Sequence, residues 1–143
     1  MVIAPPTGGA THWASMTAAH DALDSPTKER IEGLHALHRS WWEPVEAAVH
    51  PIVRVHPETG RKALFVNRLF TIEIVELPGT AGDELLALLI DHATNDRFTV
   101  RHDWKSGDVA VWDNRCTLHR VDDDFGTERR RGHRVVIEGD APR

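Results

Sequence analysis

Trp104-Lys105-Ser106-Gly107-Asp108-Val109-Ala110-Val111-Trp112-Asp113-Asn114-Arg115-Cys116-Thr117-Leu118-His119 decides how this chain is read, together with Arg129-Arg130-Arg131-Gly132-His133-Arg134 behind it. Ser106-Gly107-Asp108 is turn chemistry. The alternation that follows predicts a strand over 109–112, and the polar corner Asp113-Asn114-Arg115 ends it. Thr117 to Val121 predicts the next strand, which carries His119. Gly132 to Ile137 predicts the last. Continued back to Arg130, its two-residue period puts Arg130, Gly132 and Arg134 on one face, with Gly132 leaving space between the arginines. At roughly 3.3 Å per residue the arginines stand about 13 Å apart. That is too far to grip one small carboxylate together, but it suits two anions on either side of a metal held by an imidazole.

The composition is compatible with such a site and excludes others. The chain has 143 residues, 41% of them apolar and 27% charged, which is enough for one domain with a real core. A net charge of −5 argues against nucleic acid as a partner, and Arg129-Arg130-Arg131 is too short a basic run to overturn that. Cys116 is the single cysteine, so there is no disulfide framework and no cysteine-based zinc site. No apolar run approaches the roughly 18 residues of a membrane span, and the N-terminus lacks a basic region followed by an apolar one. The expectation is a soluble cytoplasmic protein with no membrane partner.

Upstream, Val2-Ile3-Ala4 reads as the end of a strand and Pro5 to Gly9 as the loop leaving it. Thr11 to Ser15 reads as a short extended piece, and Met16 to Leu23 has helical spacing. Ser25 and Pro26 predict the N-cap and first turn of a second helix, with Ile31, Leu34, His35 and His38 on one face. Trp41-Trp42-Glu43-Pro44 ends that helix. Ile52 to Val55 and Lys62 to Val66 predict a hairpin about the turn Pro57-Glu58-Thr59-Gly60. Thr80 to Asp83 has the threonine-x-x-acid pattern of a helix start, and Leu85, Leu88, Leu89 and His92 form its expected buried stripe. Phe98, Val100 and His102 alternate as a strand. Short strands with two or three helices predict a β-rich α+β chain, a sandwich of the jelly-roll type with flanking helices, the alternative being a generic α+β sheet domain.

Five ordered groups of residues carry a resemblance. They are Gly8-Gly9-Ala10-Thr11 with Ala14-Ser15-Met16; His50-Pro51-Ile52-Val53-Arg54-Val55-His56-Pro57-Glu58-Thr59-Gly60; Phe65-Val66-Asn67 with Phe70; Gly107-Asp108 through Trp112-Asp113-Asn114-Arg115 to His119; and Arg129-Arg130 with His133-Arg134 and Gly139-Asp140. At this spacing the chain resembles, over nearly its whole length, the taurine dioxygenase (TauD/TfdA) family of iron(II)- and 2-oxoglutarate-dependent dioxygenases. The resemblance implies a double-stranded β-helix, with iron(II) as metal and 2-oxoglutarate as co-substrate. It implies hydroxylation of a small anionic substrate such as a sulfonate, sulfate ester or carboxylate. His119 matches the family's second iron histidine. Arg130 matches the arginine on the distal carboxylate of 2-oxoglutarate, and Thr11 the threonine that helps it. Arg134 matches an arginine that meets the substrate's anionic group, and Phe70 a substrate-pocket aromatic.

The departures shape the expectation. The family's iron site begins with a His-x-Asp motif upstream of Gly-Gly-Asp-Thr, and no His-x-Asp occurs in this sequence. Ala10 stands where the family has that Asp, and the segment between His38 and His50 is short. His56-Pro57-Glu58, the one His-x-acid triplet, falls on a turn. Residues 1–143 are therefore expected to form a single, incomplete domain, inactive alone. It would be completed by a separate N-terminal half, or left as a non-catalytic remnant that binds anions or a partner, with open sheet edges that favour self-association. Trp41, Trp42, Trp104 and Trp112 are expected to pack, Cys116 to be a small hydrophobe, and the remaining histidines to be structural or exposed.

Overall fold

β1 (Thr11–Ser15) runs straight into α1 (Met16–Asp21), because the Ser15 hydroxyl accepts the Ala18 amide at 3.2 Å and caps the helix. The computed structural model describes residues 1–139, 141 and 142; Asp140, which contributes to the resemblance, lies outside the described residues. α2 (Ser25–Ile31) is capped by Asp24 rather than Ser25. Asp24 has the extended backbone a cap requires, and its Oδ1 accepts the Thr27 amide at 2.8 Å. The helix ends at Ile31 and does not include His35 and His38. Those residues lie on β2 (His35–Arg39), which pairs antiparallel with β3 (Ala47–Pro51) and with β6 (Thr71–Ile74). Two neighbouring strands claim the backbone of β2, and that tertiary pairing overrides the helical spacing of its side chains.

β4 (Val53–Val55) and β5 (Lys62–Leu64) form the expected hairpin, with Val53 opposite Leu64. α3 (Thr80–Ala93) is capped by Gly79, so Thr80 begins the helix instead of capping it. Its buried residues include Leu85, Leu86, Leu89, Ile90 and Ala93, whereas Leu88 is 52% exposed. The stripe is turned by one position from the predicted one, because Ile90 and Ala93 join it. His92 is half-buried and donates from Nε2 to the Ala19 carbonyl at 2.8 Å, tying α3 to α1. A 3-10 turn (Asp96–Phe98) leads to β7 (Thr99–His102). β7 and β8 (Thr117–Val121) flank β1, both antiparallel. Met16, Ile31, Ile52, Leu64 and Leu89 are among the largest fully buried side chains and place the core between the helices and the hairpin.

Two predicted strands do not form ladders. Residues 109–112 have no strand assignment, and 132–137 has only the adjoining single bridge of Arg131 to Ile3. Val109, Val111, Val135 and Ile137 are 87%, 93%, 89% and 91% exposed. Alternation gives a segment a face to bury, but a strand also needs a hydrogen-bonded neighbour, and none faces these segments among the described residues. Arg130, Gly132 and Arg134 therefore do not share a strand face. Trp41 and Trp42, expected to pack, are more than half exposed or close to it, in the loop between β2 and β3. The coarse class stands: short antiparallel strands with three flanking helices. Among the described residues no helix is long and apolar enough to cross a membrane.

Two measurements test this packing. A Cβ on Gly82, inside α3, would meet the Leu77 carbonyl oxygen at 1.8 Å. Glycine to alanine in a helix interior normally stabilises by about 1 kcal/mol. Here Gly82→Ala is expected to destabilise by about 1–3 kcal/mol in urea unfolding, the cost of overpacking; a gain would contradict the close approach. The second concerns His38, whose Nε2 is buried with no hydrogen-bond partner among the described residues. Desolvation first, then the neighbouring His50, push its pKa from 6.5 down to about 4. Between those values the unfolded chain binds the proton and the native chain does not, so stability falls as pH drops from about 6.5 to about 4. His38→Phe is expected to flatten that part of the profile; an unchanged slope would assign it to other groups.

Candidate active site

β1 presents its two faces to different surroundings. Ala14 faces the helical core, and Leu118, opposite it on β8, packs against that core. Thr11, Trp13 and Ser15 face the other way. Trp13 has Val100 opposite it on β7 and His119 opposite it on β8. Register alone thus carries His119 onto the face of Thr11. A cleft of about 570 Å³ opens on this face, lined by Trp13, Val100, His102, Val111, Trp112 and Thr117 among others.

The His119 side chain is solvent-exposed at the edge of that face, with the Trp112 ring 5.1 Å away. Its pKa is lowered, first by desolvation and then by the positive charge of Arg134. The imidazole is therefore held neutral near pH 7, the form that ligates a metal. Arg134 itself is exposed, and its influence on His119 shows that the two lie in one electrostatic neighbourhood.

Arg130 and Thr11 meet although 119 residues separate them. The Arg130 Nη2 donates to the Thr11 hydroxyl at 3.4 Å, and its Nε donates to the Gly9 carbonyl at 3.0 Å. Gly9 makes this approach feasible. Its φ is +66°, and a Cβ there would stand 2.9 Å from the Arg130 Cδ, so the arginine stem lies directly on the Gly9 backbone. Thr11 is 3% exposed. Its Oγ1 also accepts the Trp104 indole N–H at 2.7 Å, across 93 residues, a contact with no local sequence signal. A guanidinium, a buried hydroxyl and a glycine backbone thus converge at one end of β1, an arrangement suited to a carboxylate. Phe70 lies apart from this group. It precedes β6 in the other sheet and stands edge-on to Trp42 at 5.4 Å.

A second cluster serves the scaffold. Among the described residues, the one group of three potential metal donors is His56, Asp113 and Cys116, within 4.8 Å of one another. The His56 Nδ1 accepts the amides of Glu58 and Thr59 at 3.3 Å, so Nε2 carries the proton and donates it to the Asp113 Oδ2 at 3.0 Å. Binding a metal at Nε2 would leave a proton on Nδ1 facing two amide protons. Asp113 is already held well below the usual carboxylate range, chiefly by Arg115, which also reaches Glu58 at 2.9 Å. The His56-Pro57-Glu58 triplet is a clasp between the hairpin turn and the corner before β8. His119 belongs to no cluster of three donors among the described residues. One imidazole does not fit the three-ligand geometry that iron(II) takes in such enzymes.

Comparison with known proteins gives the family. The family model described as taurine catabolism dioxygenase TauD, TfdA family covers residues 1–136. An alpha-ketoglutarate-dependent sulfate ester dioxygenase of Pseudomonas putida is 35% identical over 167 residues, spanning 99% of this chain and 54% of that protein. An alpha-ketoglutarate-dependent 2,4-dichlorophenoxyacetate dioxygenase of Cupriavidus pinatubonensis is 39% identical, spanning 83% of this chain and 46% of that protein. The crystal structure of a taurine dioxygenase from Burkholderia xenovorans superposes with a TM-score of 0.82 at 43% identity, covering 86% of this chain and 45% of the other. Another, solved in complex with Mn(II) and N-oxalylglycine, superposes at 0.80 with 34% identity, covering 90% of this chain and 52% of the other. The chain spans about half the length of the relatives it matches. With a family match that runs from Met1 past Arg134 and a shared fold at this identity, the chain belongs to the TauD/TfdA dioxygenase family.

Proposed function

We propose that residues 1–143 are one incomplete domain, the half of a double-stranded β-helix dioxygenase that supplies its anion sites and one metal ligand. Arg130 and Thr11 bind the distal carboxylate of 2-oxoglutarate. Arg134 meets the anionic group of the substrate, a sulfonate, sulfate ester or carboxylate. Phe70 contributes an aromatic wall once the second half is in place, and His119 is a single ligand for iron(II). The observation that carries this reading is the convergence of Arg130 and Thr11 on one buried point. Relatives named for alpha-ketoglutarate dependence, and for sulfate ester and phenoxyacetate substrates, support the chemical class.

His119 alone cannot hold iron(II), so no redox step is derived through this chain. Its own residues bind and orient anions. The further ligands iron(II) requires would come from outside residues 1–143, and the exposed Val109, Val111, Val135 and Ile137 are apolar surface that the rest of the domain would cover. Burying four such side chains is worth about 6–12 kcal/mol, comparable with the whole stability of a small domain. Self-association would cover the same surface. A non-catalytic module that binds anions or a partner is the second reading, favoured by the solitary His119. The net charge of −5 speaks against nucleic acid, and the free Cys116 suits a reducing cytoplasm.

Calorimetric titration with 2-oxoglutarate tests the anion site. Wild-type chain is expected to bind, and Arg130→Ala to lose about 30-fold or more in affinity, since truncating one partner of a buried charge pair costs about 2 kcal/mol or more. Equal binding by the variant removes Arg130 from the role. Adding iron(II) without oxygen is expected to give no metal-to-ligand charge-transfer band with this chain alone. A band would overturn the claim that the metal site is shared.

A further inference from the structure

We infer that Trp104 is a positioning residue: its indole N–H fixes the Thr11 hydroxyl so that the hydroxyl proton is aimed at a bound carboxylate oxygen. This rests on the reading of Thr11 and Arg130 as the anion site. The argument begins with proton bookkeeping. A threonine hydroxyl has two lone pairs and one proton, whereas an indole and a guanidinium only donate. The Trp104 Nε1 donates to the Thr11 Oγ1 at 2.7 Å, a short and well-formed bond, and the Arg130 Nη2 faces the same oxygen at 3.4 Å. Both lone pairs are therefore directed at donors. The one remaining direction on the oxygen belongs to its own proton, which must find an acceptor. Among the described residues no protein atom accepts that proton. An anion bridging Arg130 and Thr11 supplies the acceptor.

Trp104 is held rigidly enough to do this. The chain leaves β7 at His102 and turns at once. The Asp108 Oδ2 accepts both the Lys105 amide at 2.8 Å and the His102 Nε2 at 3.0 Å, closing the turn around Trp104. The Trp104 ring is perpendicular to the His102 ring at 4.7 Å and edge-on to Trp13 at 6.0 Å. Ring contacts set the plane of the indole, and the indole sets the hydroxyl. Without the N–H, the hydroxyl proton is free to rotate between its staggered wells, and the site loses pre-organisation.

The test is a double-mutant cycle on 2-oxoglutarate affinity. Trp104→Phe keeps a ring against His102 and Trp13 and removes the donor with the five-membered ring that carries it. It is expected to weaken binding about 3–10-fold, the net contribution of one hydrogen bond. Thr11→Val is expected to weaken it similarly, and the double variant no further than either single one. Losses that multiply, or wild-type affinity in Trp104→Phe, overturn the inference while leaving the anion site intact. Absence of binding by the wild type, or full binding by Arg130→Ala, overturns the site and the inference with it. A readout without any change at Trp104 guards against misfolding. The ¹⁵N-labelled Trp104 indole proton is expected to exchange slowly in the wild type, shift on adding 2-oxoglutarate, and exchange faster in Thr11→Val. An indole signal indifferent to Thr11→Val overturns the hydrogen bond itself.

Discussion

The double pairing of β1 is the constraint on which the rest depends. With β7 on one side and β8 on the other, each residue from Thr11 to Ala14 has two opposite numbers. A strand slipped by one residue sends every side chain to the other face. Here the register is pinned at the end of β1 that meets α1. Ser15 must cap α1, which leads Met16 and Ala19 into the core, and Ala14 must lie against the same core. Once those are fixed, Thr11 and Trp13 have no choice but the opposite face, and His119 follows Trp13 there. The face that carries Thr11, Trp13 and His119 is thus a consequence of how the core packs.

The ends of the chain bring Arg130 to Thr11. The amides of Val2 and Ile3 reach the Arg131 carbonyl at 2.9 and 3.0 Å, and the Arg131 amide returns to the Ile3 carbonyl at 2.9 Å. Arg131 is committed to this bridge through its backbone. Its neighbour Arg130 then turns its side chain toward Gly9 and Thr11. Closing a loop of this length carries an entropic cost that grows only slowly with length. A few backbone bonds and the Arg130 contacts can offset it, so a local bridge suffices to bring together residues from opposite ends of the sequence.

Much of this was legible in the sequence where the signal was local. Thr11 to Ser15, the turn at 57–60, the helix from Thr80 and the strand carrying His119 all declare themselves through spacing or turn chemistry. β2 was misread because His35 and His38 fit a helical stripe, and only the neighbouring strands decide otherwise. Residues 109–112 and 132–137 were misread for the opposite reason: their alternation is real, but no strand lies beside them among the described residues. Trp104 and the His56–Asp113 clasp left no trace in the sequence, because a hydrogen bond across 93 or 57 residues has no period.

The site divides along the line where local closure stops. Arg130, Gly9, Thr11 and Trp104 are held against one another within this chain, which leaves their geometry set before any ligand arrives. His119 has no such company: its neighbours are an aromatic ring and an arginine, the second of which repels a cation. An imidazole beside Arg134 becomes a good metal ligand only when carboxylate and imidazole partners outweigh that repulsion. In the proposed reading, anion binding rests on residues within 1–143, whereas iron(II) would need ligands from outside them. Val109, Val111, Val135 and Ile137 on the two unpaired segments are exposed apolar surface that burial against a neighbour would stabilise.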